Sequence, residues 1–240
     1  MSTGTKHTVT AFDDDMDEIR GLIAEMGARA EAAVIAAMKA LRDNDNDLAV
    51  KTRAEDKIID TLETEVERLV VRTIALRAPM ADDLRELIAA LKMSAVIERI
   101  GDYAKNIAKR VPQMEGKMPP NGTDQLGRMG DIVVEMIRNA MDAYAKRDID
   151  LARAVSVRDD DVDQLNKDLF VDFVAYVVKN PKNATEVAHL LFTAKNLERI
   201  GDHTTTVAQM IYFTETGRSE ERRVGKECVC WCRSRWSPYH

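Results

Sequence analysis

No stretch of this 240-residue chain approaches the roughly 18 consecutive apolar residues that span a bilayer, so no membrane-spanning helix is expected. The opening segment, Met1 to Asp15, is polar and acidic and holds nothing like the apolar centre of a secretory signal. Basic residues are not in excess either. Lys and Arg number 35 against 41 Asp and Glu, and the resulting charge of −6 is the wrong sign for a protein whose main partner is nucleic acid. Aromatics make up only 5%, and Pro and Gly are few. With 45% hydrophobic and 32% charged residues, that scarcity describes a helical globular protein with enough chain for a substantial core. Cysteine is absent until the end: Cys228, Cys230 and Cys232 fall among the last thirteen residues, beside Trp231 and Trp236. Such a run could take a soft metal or form disulfides. Residues 222–240 show no helical periodicity, however, and 218–240 read as an atypical, non-native tail to which no function is assigned. A cytoplasmic location is the expectation.

What is present is a repeat. Glu98-Arg99-Ile100-Gly101-Asp102 returns as Glu198-Arg199-Ile200-Gly201-Asp202, a displacement of 100 residues. Ala37-Met38, Ala40 and Asp45 recur as Ala140-Met141, Ala143 and Asp148, a displacement of 103, and Asp56 and Asp60 likewise match Asp159 and Asp163. The displacement shrinks only across loops, as in a duplicated helical bundle. Each copy reads as three helices. The expected spans are residues 15–42, 48–76 and 82–111 in the first copy, and 126–146, 151–178 and 184–213 in the second. The turn Asp43-Asn44-Asp45-Asn46-Asp47 places its last Asp as the cap of the second helix. Pro79 and Pro181 interrupt the chain before the third helices. Pro119-Pro120 and Gly122 mark a linker. The expected organisation is therefore residues 1–12 as an N-terminal segment, 13–112 as the first repeat, 113–124 as the linker, 125–217 as the second repeat and 218–240 as the tail. No segment alternates with period two, so the fold class is all-α, two tandem three-helix bundles related by pseudo-twofold symmetry.

Four acidic pairs stand at i, i+4: Asp56/Asp60, Glu98/Asp102, Asp159/Asp163 and Glu198/Asp202. On a helix such residues share a face, and like charges at that spacing destabilise it by a few tenths of a kcal/mol. The apolar steps Leu84, Leu87, Leu91 and Ala95 lead on to Glu98 and Asp102, and Ala184, Val187 and Leu191 lead through Lys195 to Glu198 and Asp202. Asp56 shares a face with Ile59, Asp60, Glu63, Val66 and Val70; Asp159 shares one with Val162, Asp163, Asn166, Phe170 and Phe173. These carboxylates are thus expected to face packed neighbours or a groove, where charge must be paired, protonated or metal-bound. Salt bridges are the simpler account, since Lys105 lies three residues after Asp102 and Lys195 three before Glu198. The lysines do not occupy equivalent positions, whereas the carboxylates do, which favours metal. An all-oxygen donor set suits Mg²⁺, Ca²⁺, Mn²⁺ or oxidised iron rather than a thiolate-type zinc site.

Other candidates carry less. Asp43 to Asp47 imitates the start of an EF-hand, but Leu48 and Ala54 stand where Gly and Glu are needed. A single Glu-x-x-His, Glu186 to His189, falls short of the pair that diiron bundles use. His203 adjoins Asp202, yet its counterpart is Tyr103, so it reads as incidental. Arg99 and Arg199 read as solvated. Gly101 and Gly201 sit in mid-helix at about 1 kcal/mol relative to Ala, which implies close helix approach there.

The duplicated three-helix unit, with an (E/D)-x-x-x-D pair in each copy and the run Glu98 to Ala108, resembles the PhoU family of phosphate-uptake regulators over about Phe12 to Gly217. The resemblance implies metal ions on Asp56, Asp60, Glu98 and Asp102 and on Asp159, Asp163, Glu198 and Asp202. The ions would be divalent or trivalent, drawn from iron, manganese, magnesium and zinc. It implies no catalysis, but a cytoplasmic negative regulator of phosphate uptake and starvation signalling, linking a phosphate ABC transporter to a sensor histidine kinase. Such a protein would be a homodimer, peripheral to the membrane through its partners only. The alternative is a carboxylate-bridged metal enzyme of diiron type. The second copy departs from the pattern at His203 to Thr206 and at Asn166, the counterpart of Glu63, so metal number or affinity is expected to differ between halves.

Overall fold

The computed structural model describes residues 4–114 and 122–218, with side chains described from residue 11 onward except at residue 123. The expected tail beyond residue 218, most of the linker and the first three residues lie outside the described residues. Six helices form: α1 Gly4–Asp43, α2 Asn46–Arg77, α3 Asp82–Ala108, α4 Gly122–Lys146, α5 Ile149–Lys179 and α6 Ala184–Thr216. Short 3-10 turns at Val111–Gln113 and Pro181–Asn183 follow α3 and precede α6, and no strand occurs among the described residues.

The helix limits follow from local chemistry. Asp45, not Asp47, caps α2: its side chain accepts the Leu48 N–H at 2.9 Å, while Asp47 lies one residue inside the helix. The counterpart Asp148 accepts the Leu151 N–H at 3.0 Å and caps α5. Helix α2 stops where Ala78 turns left-handed, φ 46°, immediately before Pro79. The third helix ends three residues earlier than the pattern suggests, because the chain tightens into the 3-10 turn that contains Pro112. At the other end, α1 begins well before residue 15, so the expected N-terminal segment is largely helical.

Helices α1, α2 and α3 pack mutually, as do α4, α5 and α6; α1 then lies on α4 and α3 on α6. The core is aliphatic: Ile19, Ile23, Met26 and Val34 of α1 are fully buried, as are Met129, Val133 and Met136 of α4. The relation between halves is visible in one reciprocal contact. A Cβ on Gly27 would fall 2.5 Å from Met141 Sδ, and a Cβ on Gly130 would fall 3.1 Å from Met38 Cγ. Gly27 and Gly130 are 103 residues apart, as are Met38 and Met141, so each methionine fills the notch left by the other half's glycine. A contact that returns with its members exchanged is what a twofold relation produces. It also runs α1 and α4 antiparallel. Tyr103 and His203, equivalent positions on α3 and α6, stack on each other at 5.4 Å with 13° between ring planes. His203 is therefore part of the junction between halves, not incidental, and Arg199 lies over the Tyr103 ring at 5.7 Å. Burial, then the charges of Arg99 and Arg199, hold the His203 imidazole below its ordinary value.

Candidate metal centre

Each half brings its acid pairs together where its second helix meets its third. In the first half, α3 approaches α2 closely at Gly101: a Cβ there would be 2.9 Å from Ile59 Cδ1 and 3.4 Å from Asp56 Oδ1. In the second, a Cβ on Gly201 would lie 2.9 Å from Asp159 Oδ1. The repeated glycines are the reason that Asp56 and Asp159 are buried, at 3% and 6% exposure. The rest of each set is less enclosed. Glu98, Asp102 and Glu198 are partly covered, with side chains 18%, 29% and 14% exposed. Asp163 is half-buried, while Asp60 and Asp202 are exposed. The inner stripe of α3 differs from the sequence-based expectation in the same sense. Leu84 and Ala95 are exposed, and the buried line runs through Leu87, Ala90, Ser94, Ile97, Gly101 and Ala104. Glu98 and Asp102 border that line. On α5, Phe170 is likewise exposed, whereas Phe173 is buried.

Two carboxylates of the first half converge on an ammonium. Lys105 Nζ lies 2.5 Å from Asp56 Oδ2 and 3.1 Å from Asp102 Oδ1, so it bridges α2 and α3. Burial pushes the Asp56 carboxyl up, against the hydrogen bond from Lys105. Lys105 is itself pushed up, chiefly by its bond to Asp56. Glu98 is raised to about 7, first by burial and then by the charge of Asp102, with Glu63 and Asp60 adding to it; Arg99 opposes the shift from 3.6 Å. Glu63 is raised by burial and by Glu67 and Asp60, so it belongs to the same negative region. In the second half Lys195 Nζ lies 2.6 Å from Glu198 Oε2. Both lysines foreseen as salt-bridge partners are thus engaged. What the sequence did not reveal is that Lys105 reaches Asp56, 49 residues away on another helix.

The donor chemistry of these clusters, oxygen only, fits a hard cation. Among the described residues, no group of three or more His, Cys, Asp or Glu is arranged to hold one with the side chains as they stand. In the first half the point between Asp56 and Asp102 is taken by the Lys105 ammonium. His189 is elsewhere engaged: its Nδ1 is 3.4 Å from Arg110 Nη1, and the Arg110 guanidinium covers Phe192 at 4.2 Å.

A second polar locus lies at one end of the bundle. A cavity of about 370 Å³ there is bordered by Arg20, Glu86, Tyr144, Arg147 and Glu215. Glu86 accepts from Arg20 at 2.7 Å and from Arg147 at 3.3 Å. The opposite end of the molecule places Leu41 and Met114, both buried, at the positions equivalent to Tyr144 and Thr214. The Tyr144 hydroxyl is buried and meets no hydrogen-bond partner among the described residues. Burial, and then the nearby Glu86 charge, raise it.

Comparison with known proteins agrees with this architecture. The PhoU domain family model matches residues 23–111 and 126–211, one match per three-helix unit. The phosphate-specific transport system accessory protein PhoU homolog of Zymomonas mobilis is 47% identical over 224 residues, covering 93% of this chain and 94% of that protein. The Rhizobium meliloti protein of the same description is 37% identical over 212 residues, 88% of this chain and 90% of its own. The crystal structure of PhoU from Pseudomonas aeruginosa superposes with a TM-score of 0.84 at 33% identity, over 86% of this chain and all of that one. PhoU from Streptococcus pneumoniae shares the fold, with a TM-score of 0.82 at 24% identity over 88% of this chain and all of its own. With two matched domains, near full-length relatives and the same six-helix architecture, the chain belongs to the PhoU family.

Proposed function

We propose that this protein is a regulatory adaptor of phosphate-specific transport rather than an enzyme. It acts in the cytoplasm as a negative regulator, contacting a phosphate ABC transporter and a sensor histidine kinase, and works as a homodimer. The observation that carries the reading is the near full-length similarity to relatives described as phosphate-specific transport system accessory proteins. The surface is consistent with work done by contact. Among the described residues no helix is long and apolar enough to cross a membrane. The outer helix α5 exposes Phe170, Val171, Val174 and Val178, spaced along one side, and exposed apolar stripes of this kind mark interaction surfaces. The acid clusters serve as metal sites within this reading, with Asp56, Asp60, Glu98 and Asp102 holding ions in the first half and Asp159, Asp163, Glu198 and Asp202 in the second. A bound cation would neutralise carboxylates that otherwise repel one another and would fasten the second helix of each half to the third. Against the diiron-type enzyme stands the lone Glu-x-x-His, whose His189 is placed against Arg110.

The test is genetic. Deleting the gene is expected to raise expression of a phosphate-starvation reporter several-fold in phosphate-rich medium, and the intact gene should restore repression. Unchanged expression in the deletion strain would sink the adaptor reading.

A further inference from the structure

The two ends of the junction between halves are built from equivalent positions but finish differently. After α3, Pro112 turns the chain through the 3-10 segment Val111–Gln113, and Val111, Met114 and Leu41 are all buried there. At the other end Tyr212 stands where the first half has Pro112, so α6 runs on as helix to Thr216. That end keeps the cavity of about 370 Å³, within the ~300–1,000 Å³ range of small-molecule sites. Its walls include Ala24, Ala145 and Ile211, and Tyr144, Arg147 and Glu86 supply polar groups. We infer that this cavity binds a small amphipathic carboxylate, its apolar body against those walls and its head between the Tyr144 hydroxyl and the Arg147 guanidinium.

The polar groups with capacity to spare are donors. The Tyr144 hydroxyl is buried without a partner among the described residues. Burial and the Glu86 charge hold it protonated, so it has a hydrogen to give. Arg147 holds its acids loosely, at 3.3 Å from Glu86 and 3.5 Å from Glu215, with its side chain 51% exposed. Its backbone is left-handed, φ 54°, where the first half uses Asn44 at φ 52°. Asparagine is enriched in that conformation and arginine is not, so the turn itself gives no reason for an arginine. Arg20, by contrast, is occupied by Glu86 at 2.7 Å and Asp17 at 2.9 Å. A neutral donor and a charged one match the two oxygens of a carboxylate. They match a phosphate poorly, because its second charge would face Glu86 and Glu215 with only Arg147 loosely enough held to answer it. An ammonium head would set positive charge against Arg147 and leave the Tyr144 hydrogen without an acceptor.

Octanoate serves as the probe, its binding to the full chain followed by saturation-transfer NMR. Saturable binding is expected with a Kd of roughly 0.1–1 mM, the scale for about ten non-hydrogen atoms. Octylammonium and inorganic phosphate should not displace it. Arg147→Asn installs the residue that the first half uses at the same φ, so the turn is kept. It should weaken octanoate about tenfold, as should Tyr144→Phe, which keeps the ring. Thr214→Met fills the cavity from α6 and should abolish binding. Absence of saturable binding by the wild type overturns the inference. Binding that survives Arg147→Asn and Tyr144→Phe unchanged overturns it too, because the ligand would then sit elsewhere. Displacement by octylammonium or by inorganic phosphate overturns the carboxylate assignment. Circular dichroism shows whether each variant is folded, and Arg147→Asn and Tyr144→Phe keep the test decisive if Thr214→Met is not.

Discussion

Replacing Gly201 by alanine should destabilise the protein by about 2 kcal/mol, and Gly101→Ala by a similar amount, even though alanine is the better helix former. Two effects oppose each other here. Alanine in a helix interior gains about 1 kcal/mol over glycine. Against that, the new methyl would lie 2.9 Å from Asp159 Oδ1 in the second half and 2.9 Å from Ile59 Cδ1 in the first. Neither neighbour can retreat easily. Asp159 is a short side chain buried at 6% exposure, and Ile59 is packed at 1%. Overpacking of a tight core costs typically 1–3 kcal/mol and exceeds the propensity gain where the helices must separate to relieve it. Separation would also draw the third helix away from the acid it covers. Gly21→Ala provides the contrast, because nothing lies within 4 Å of a Cβ there, and it should be neutral or stabilising. Chemical denaturation of the three variants decides the matter; equal stability for Gly201→Ala and Gly21→Ala would show that the close approach does not exist.

That the two glycines matter was legible from their recurrence alone, and so was much of the fold. Repetition and helical periodicity located all six helices, and Pro79 and Pro181 located two of the breaks. The sequence is ambiguous where several residues can do the same job or where small polar residues carry the packing. Asp43, Asp45 and Asp47 are all competent caps, and only the turn geometry selects Asp45. On α3 the stripe through Leu84 and Ala95 departs from the buried line, because that line includes Ser94 and Gly101. Ser94 can be buried there since its hydroxyl donates to the Leu91 carbonyl at 2.9 Å. The acids therefore lie less deep than the stripe implies, with Asp60 and Asp202 exposed. A helical pattern reports which residues neighbour one another within an element. It does not report what reaches across, so the Lys105–Asp56 bridge and the Tyr103–His203 stack appear only in three dimensions. The Gly27/Met141 and Gly130/Met38 exchange is implicit in the 103-residue displacement, which relates the two glycines as well as the two methionines.

A marked pH effect should come from Glu98. Its carboxyl is raised to about 7 because burial disfavours the charge and Asp102 repels it. Arg99 does not offset this; its contacts to Glu98 and Asp102 are both 3.6 Å and its side chain is 61% exposed. The folded protein therefore binds a proton that the unfolded chain releases between about pH 4.5 and 7. The stability associated with that proton is present in full below pH 4.5 and is lost as pH rises through 7. Glu98→Gln removes the titration and presents a neutral side chain of the same shape at every pH. In chelator at pH 8 the variant should be more stable than wild type by about 1–2 kcal/mol, solvent screening at the partly exposed carboxylate reducing the full effect. The melting temperature should then rise by roughly 3–6 °C, and the difference should disappear toward pH 4.5, where the wild type is itself protonated. Adding Mn²⁺ should reverse the order at pH 8, because an ion rewards the carboxylate that the amide has replaced. Melting curves at the two pH values, with and without the ion, separate three cases. A variant less stable than wild type in chelator at pH 8 would mean that Glu98 is held by a favourable ion pair; a gain in chelator that Mn²⁺ does not reverse would mean a strained carboxylate with no metal to hold. The reversal itself would mark Glu98 as a residue whose charge the fold tolerates only for the sake of a cation.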